Sequence, residues 1–174
     1  MKKYFLSSLL SILFFTTLIG QDLKPYILAG KTNQSMTEVL QKVKTNMSKS
    51  GLTVVGEYNP ESSKDKVILA FTSDELKNSV NKIGGFKAFA LALRVALTTE
   101  NGQIYISYTN PEYWGRAYYM DKWSSVSNNY NLLAKKLKTA LSGFDENSFI
   151  EFGSKKGVSV SDLKKYHYGR YAIF

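Results

Sequence analysis

Apolar and polar positions along this chain follow two periods, and each segment declares one of them. Met36, Val39, Leu40, Val43 and Met47 recur at helical spacing behind Ser35-Met36-Thr37-Glu38. In that tetrad Ser35 and Glu38 can satisfy each other's backbone N–H groups, and Gly51 offers a left-handed stop. Residues 52–58 and 67–71 are apolar runs rich in β-branched side chains, parted by Asn59-Pro60 and a polar loop, and they predict two strands. Thr72-Ser73-Asp74-Glu75 caps a shorter helix through Leu76 and Val80 that Gly84-Gly85 ends. A short apolar run at 25–29 predicts an opening strand.

Two segments, 91–99 and 103–109, flank Asn101-Gly102, a strong two-residue hairpin signal. A two-residue turn pairs Glu100 with Gln103 and so fixes the register. Val95 then faces Tyr108, Leu97 faces Ile106, and Thr99 faces Ile104, with Leu91 and Leu93 on the same core side. Ala92, Arg94, Ala96 and Thr98, matched by Tyr105, Ser107 and Thr109, form the other face, which is shallow and amphipathic. Asn110-Pro111 opens a further helical turn carrying the aromatic run 113–120. Val126, Tyr130, Leu133, Leu137 and Leu141 then predict a long helix over 125–141, stopped by Gly143. Beyond it lie an apolar run at 149–152, a glycine-bounded loop, a short helix near 159–168 and an apolar close at 171–174.

Composition narrows the chemistry. With 44% hydrophobic and 14% aromatic residues the chain can build a core, and 174 residues suit a single domain. There is no cysteine and one histidine, His167, so disulfides, thiol nucleophiles and zinc sites built from cysteines or several histidines are excluded. No metal, cofactor or catalytic set is expected. Met1-Lys2-Lys3 followed by an apolar run to Ile19 and then Gly20 has the plan of a signal peptide, so the chain is expected to be exported, to the periplasm or beyond. No cysteine follows the run, which excludes a bacterial lipoprotein anchor. No later segment is apolar enough to cross a membrane.

The formal charge is +9; without residues 1–20 it is +7, from 21 basic and 14 acidic residues. The lysines are scattered over helix faces rather than gathered in one run, so a nucleic-acid role is not favoured. The division expected is a signal peptide at 1–20, an α+β domain at 21–143 and a C-terminal extension at 144–174.

Two groups of side chains are candidate sites. Arg94 lies within an apolar strand beside Tyr105 and Ser107, where a guanidinium and two hydroxyls could hold a carboxylate or other anion. The competing reading is an exposed sheet face, or a structural pair with an acid such as Glu112. Tyr113, Trp114 and Arg116, with Tyr118, Tyr119 and Trp123, could stack on a flat ligand or a partner. The plainer reading is that the segment packs between sheet and long helix, because Tyr and Trp pack readily with their polar ends wet. The expected function is an exported, non-catalytic module binding a small ligand or a protein. An enzyme using Tyr, Arg and carboxylates, or a polyanion binder, is the alternative, and homo-oligomerisation is left open.

The hairpin also carries a resemblance. Ala92-Leu93-Arg94-Val95-Ala96-Leu97, then Gly102-Gln103-Ile104-Tyr105-Ile106-Ser107-Tyr108, then Asn110-Pro111-Glu112-Tyr113, resembles the central motif of domain-of-unknown-function family 302 over roughly residues 23–143. The resemblance implies an α+β fold of order β-α-β-β-β-β-α, with helices on one face of a curved antiparallel sheet, similar to the TATA-binding-protein-like fold. It implies no activity, cofactor or catalytic residue.

Overall fold

The computed structural model describes residues 22–164. The expected signal peptide, His167 and the apolar close at 171–174 lie outside the described residues. The elements are β1 (Tyr26–Thr32), α1 (Met36–Lys49), β2 (Leu52–Tyr58), β3 (Lys66–Ser73), α2 (Asp74–Ile83), β4 (Leu93–Glu100), β5 (Gln103–Thr109), α3 (Pro111–Tyr119), α4 (Trp123–Ala140), β6 (Glu146–Phe152) and α5 (Val160–Leu163). The six strands form one sheet in the order β2-β3-β4-β5-β1-β6, with every pairing antiparallel. The fold class is α+β.

Local chemistry explains most of these elements. α1 starts at the reciprocal Ser35–Glu38 cap, and the Ser73 hydroxyl accepts the Leu76 N–H to start α2. Asn101 (φ 51°) and Gly102 (φ 77°) take the left-handed conformations that a tight hairpin needs, and Glu100 pairs with Gln103. That register sets Val95 opposite Tyr108 and Leu97 opposite Ile106, as expected. These side chains, with Val67, Leu69 and Phe71 of β3, are buried under α1, α2 and α4. The helices lie together on this one face, where α4 packs against α1, α2 and α3.

The start of β4 differs from the expectation. Leu91 does not begin β4 on the core face: residues Gly85–Leu91 form a 3-10 segment, and Leu91 is 39% exposed. The Thr72 hydroxyl donates to the Leu91 carbonyl (2.8 Å), and the β3–β4 ladder begins only at Leu93 opposite Phe71. The helix that Asn110-Pro111 opens, α3, ends at Tyr119, where Met120 turns to φ 48°.

The segment after Gly143 is built into the sheet. β6 pairs with β1, and the Asp145 carboxylate accepts from the Thr32 hydroxyl and the Asn33 N–H where the two strands meet. Leu23 and Val158 then exchange backbone hydrogen bonds of 3.0 and 2.8 Å. Leu23, Ala117 and Leu163 close a small second core beneath α3.

The core makes one prediction about alkaline pH. Burial, with the Glu151 carboxylate nearby, pushes the Tyr108 phenol up to about 12. A tyrosine in the unfolded chain ionises near 10, so between roughly pH 10 and 12 the unfolded state holds fewer protons than the folded state. Stability therefore falls as pH rises through that window. Between pH of about 9 and 12, wild type is expected to lose on the order of 2–3 kcal/mol more than Tyr108→Phe in urea melts. Equal losses in the two proteins would contradict this.

Candidate functional site

Strand alternation sends every second side chain away from the helices, and no described segment covers that second face. Cross-strand pairing sorts its residues into rows. One row runs Phe152, Tyr26, Thr109, Arg94, Ala70, Gly56 from β6 to β2. The next runs Ile150, Leu28, Ser107, Ala96, Ile68, Tyr58. A third holds Glu146, Lys31, Tyr105, Thr98 and Lys66. The first two rows make an apolar, small-residue band across all six strands. Tyr26, Tyr58, Ile150 and Phe152 are four of the eight large hydrophobic side chains exposed among the described residues, and Ile150 is the most exposed of the four at 60%.

The charges on this face differ in how they are satisfied. Lys31 pairs with Glu146 (3.1 Å), and Lys66 pairs with Glu61 at the rim (2.9 Å). Arg94 is exposed, and its guanidinium has no ion pair or hydrogen bond among the described residues. The Thr109 hydroxyl engages only the Arg94 backbone, accepting its N–H (3.0 Å) and donating to its carbonyl (3.3 Å). Glu100, at the far end of β4, is likewise without an ion pair among the described residues.

The sequence-predicted residues separate into two places. Arg94, Tyr105 and Ser107 do share this face. Tyr105 and Ser107 line a groove of about 400 Å³ with Leu28, Thr98, Glu100, Ile150 and Phe152, but Arg94, three strands from Phe152 in the same row, is not part of its lining. Tyr113, Trp114 and Arg116 belong to α3, which packs with α4 on the helical side, and they do not meet Arg94.

Their polar atoms are engaged internally. The Trp114 indole N–H donates to the Pro25 carbonyl (3.0 Å), tying α3 to the start of β1. Arg116 donates from Nε (2.9 Å) and Nη2 (2.7 Å) to Glu112 Oε1, and its guanidinium sits 5.0 Å from the centre of the Trp123 ring. Tyr113 packs on the Leu23–Leu163 core and lies edge-on to Trp114, their ring centres 5.5 Å apart. Glu112 therefore pairs with Arg116 and not with Arg94. The i,i+4 spacing of Glu112 and Arg116 was the sequence signal for that pairing.

Residues absent from the sequence-based site are Tyr26 and Leu28 of β1, Thr98 and Glu100 of β4, and Ile150 and Phe152 of β6. Tyr26 and Phe152 are cross-strand partners whose rings lie 5.6 Å apart. The alternation of Ile150 and Phe152 with Phe149 and Glu151 was a readable period of two. Which face it served depended on pairing with β1, more than a hundred residues earlier.

Other chemistry is dispersed. Among the described residues no three His, Cys, Asp or Glu side chains gather as a metal site, and no helix is long and apolar enough to cross a membrane. Several lysines of the helical side are bound one by one. Lys42 donates to the Gly143 carbonyl (2.6 Å), Lys44 pairs with Glu57, and Lys136 pairs with Glu75 (2.6 Å).

No family model matches the chain, and no curated protein matches it significantly. Its fold is similar to the crystal structure of an uncharacterized conserved protein, DUF302, from Bacillus stearothermophilus, with a TM-score of 0.55 and 17% sequence identity. That likeness covers 67% of this chain and 94% of the other. At this identity the chain shares with that protein an α+β architecture, which is the likeness the hairpin motif implied, and the likeness stops at the fold.

Proposed function

We propose that this chain is an exported, non-catalytic binding module that docks a protein partner on the helix-free face of its sheet. One observation carries the reading: an apolar band, with Ile150, Phe152, Tyr26 and Tyr58 exposed along it, holds an arginine that has no counter-charge among the described residues. Exposed apolar patches rimmed by polar groups mark interaction surfaces, because leaving them in water costs about 25 cal/mol per Å². The face is broad and shallow, which suits a macromolecular surface better than an enclosed small molecule. An anion pocket built from Arg94, Tyr105 and Ser107 has less support, since the groove holding the two hydroxyls is not lined by the arginine. An enzyme reading has less again, since Glu112 is spent on Arg116. Export rests on the basic start and apolar run of residues 1–20.

The test is photocrosslinking in the producing cell. A photoreactive side chain at Ile150 is expected to give a protein adduct. The same group at Leu132, which is 43% exposed on α4, is expected to give none.

A further inference from the structure

We infer that the partner seated on this face is a second copy of the chain, the two sheets packing face to face about a two-fold axis. This rests on the docking face proposed above and names its occupant. Arg94 and Glu100 are charges on this face that have no ion pair among the described residues. Both belong to β4 and, six residues apart, both point away from the helices. At the rise of a strand they stand roughly 20 Å apart, at opposite ends of the face.

A two-fold axis lying in the interface and crossing β4 level with Leu97 lays Arg94 of one copy over Glu100 of the other. The same axis repeats the pair at the other end, as an isologous contact requires. Stacked sheets lie about 10 Å apart, a gap that an arginine and a glutamate reaching from opposite sides can close. The axis also sets Ala96 over Thr98 and Ser107 over Tyr105, small side chains against larger ones, so the two layers interleave along β4 and β5.

Charge and area agree with this occupant. The whole chain carries +9, so two copies repel over most of their surface. On this face Lys31 and Lys66 are already neutralised by Glu146 and Glu61, and Arg94 balances Glu100. Self-repulsion is therefore weak here. Six strands about 4.8 Å apart and about 24 Å long present roughly 600 Å² before side-chain relief is counted. A standard interface takes about 800 Å² from each partner, so the face suffices for a reversible dimer.

Sedimentation velocity on the chain as its host processes it, over roughly 1–300 µM, reads the dimer constant directly. Wild type is expected to dimerise. Arg94→Glu and Glu100→Arg are each expected to weaken the dimer at least about tenfold, since each sets like charges face to face. The double exchange, Arg94→Glu with Glu100→Arg, is expected to bring the constant back to within a few-fold of wild type. Both side chains are exposed, and unchanged thermal melts will show that the variants fold.

A monomeric wild type would overturn the inference, as would a dimer indifferent to the single reversals or one that the double exchange fails to rescue. A monomer that still crosslinks from Ile150 to a different protein would leave the docking face standing and remove only the second copy. A monomer silent at Ile150 would remove both.

Discussion

Replacing Gly30 with alanine is expected to cost about 3 kcal/mol or more and to loosen β6 from the sheet. A Cβ at Gly30 would lie 2.1 Å from the backbone carbonyl oxygen of Glu146 and 3.1 Å from its carbon. Neither can rotate aside as a side chain would, because the Glu146 backbone is itself paired with Lys31 in the β1–β6 ladder. The strands must part, and Ile150 and Phe152 leave the helix-free face with β6. Gly56→Ala is the control: its Cβ would meet only the Ala70 Cβ, at 3.8 Å, and little change is expected. Urea melts give the two differences. Hydrogen exchange should show the loss of protection in Gly30→Ala concentrated in 146–152. A Gly30→Ala protein as stable as Gly56→Ala would contradict the close approach.

Gly115→Ala is expected to be destabilising by about 2 kcal/mol or more, against the usual sign for a helical glycine. Within α3, alanine should gain up to about 1 kcal/mol from helix propensity alone. Packing reverses this, because a Cβ there would lie 2.4 Å from Trp123 Cζ3 and 2.7 Å from Tyr130 Cδ1. Those rings hold each other edge-on with centres 5.3 Å apart, and Tyr130 in turn meets Tyr119 at 5.7 Å. No ring of the three can move without displacing another. Trp123→Phe in the same chain shortens the ring nearest the new methyl group and should recover part of the loss. A thermal melt showing Gly115→Ala more stable than wild type would mean that α3 and α4 do not pack this closely.

The two glycines also mark how far the sequence could be read. Their chain positions are ordinary, one inside a strand and one inside a helix, and only the element arriving from elsewhere makes a Cβ intolerable. Features fixed by near neighbours were legible: the Ser35–Glu38 cap, the Asn101-Gly102 turn and the hairpin register that follows from it. So was the division of that hairpin into a core side and an amphipathic side, with Arg94, Tyr105 and Ser107 together. The helix-free face as a whole was not, because Tyr26, Leu28, Ile150 and Phe152 of its apolar band come from β1 and β6, whose pairing spans more than a hundred residues. The aromatic run of α3 left platform and packing both open because the partners that decide it, Pro25 O for Trp114 and the Leu23–Leu163 core for Tyr113, lie at the two ends of the described chain. Helical spacing alone could not supply them.

In-cell photocrosslinking decides whether the sheet face away from the helices is a docking surface. The photoreactive group is placed at Ile150 on that face and, in a separate chain, at Leu132 on the helical side. A docking face there gives a discrete protein adduct from Ile150, lost when Arg94 is reversed to glutamate, and none from Leu132. Adducts from both positions alike, or from Leu132 alone, would contradict it.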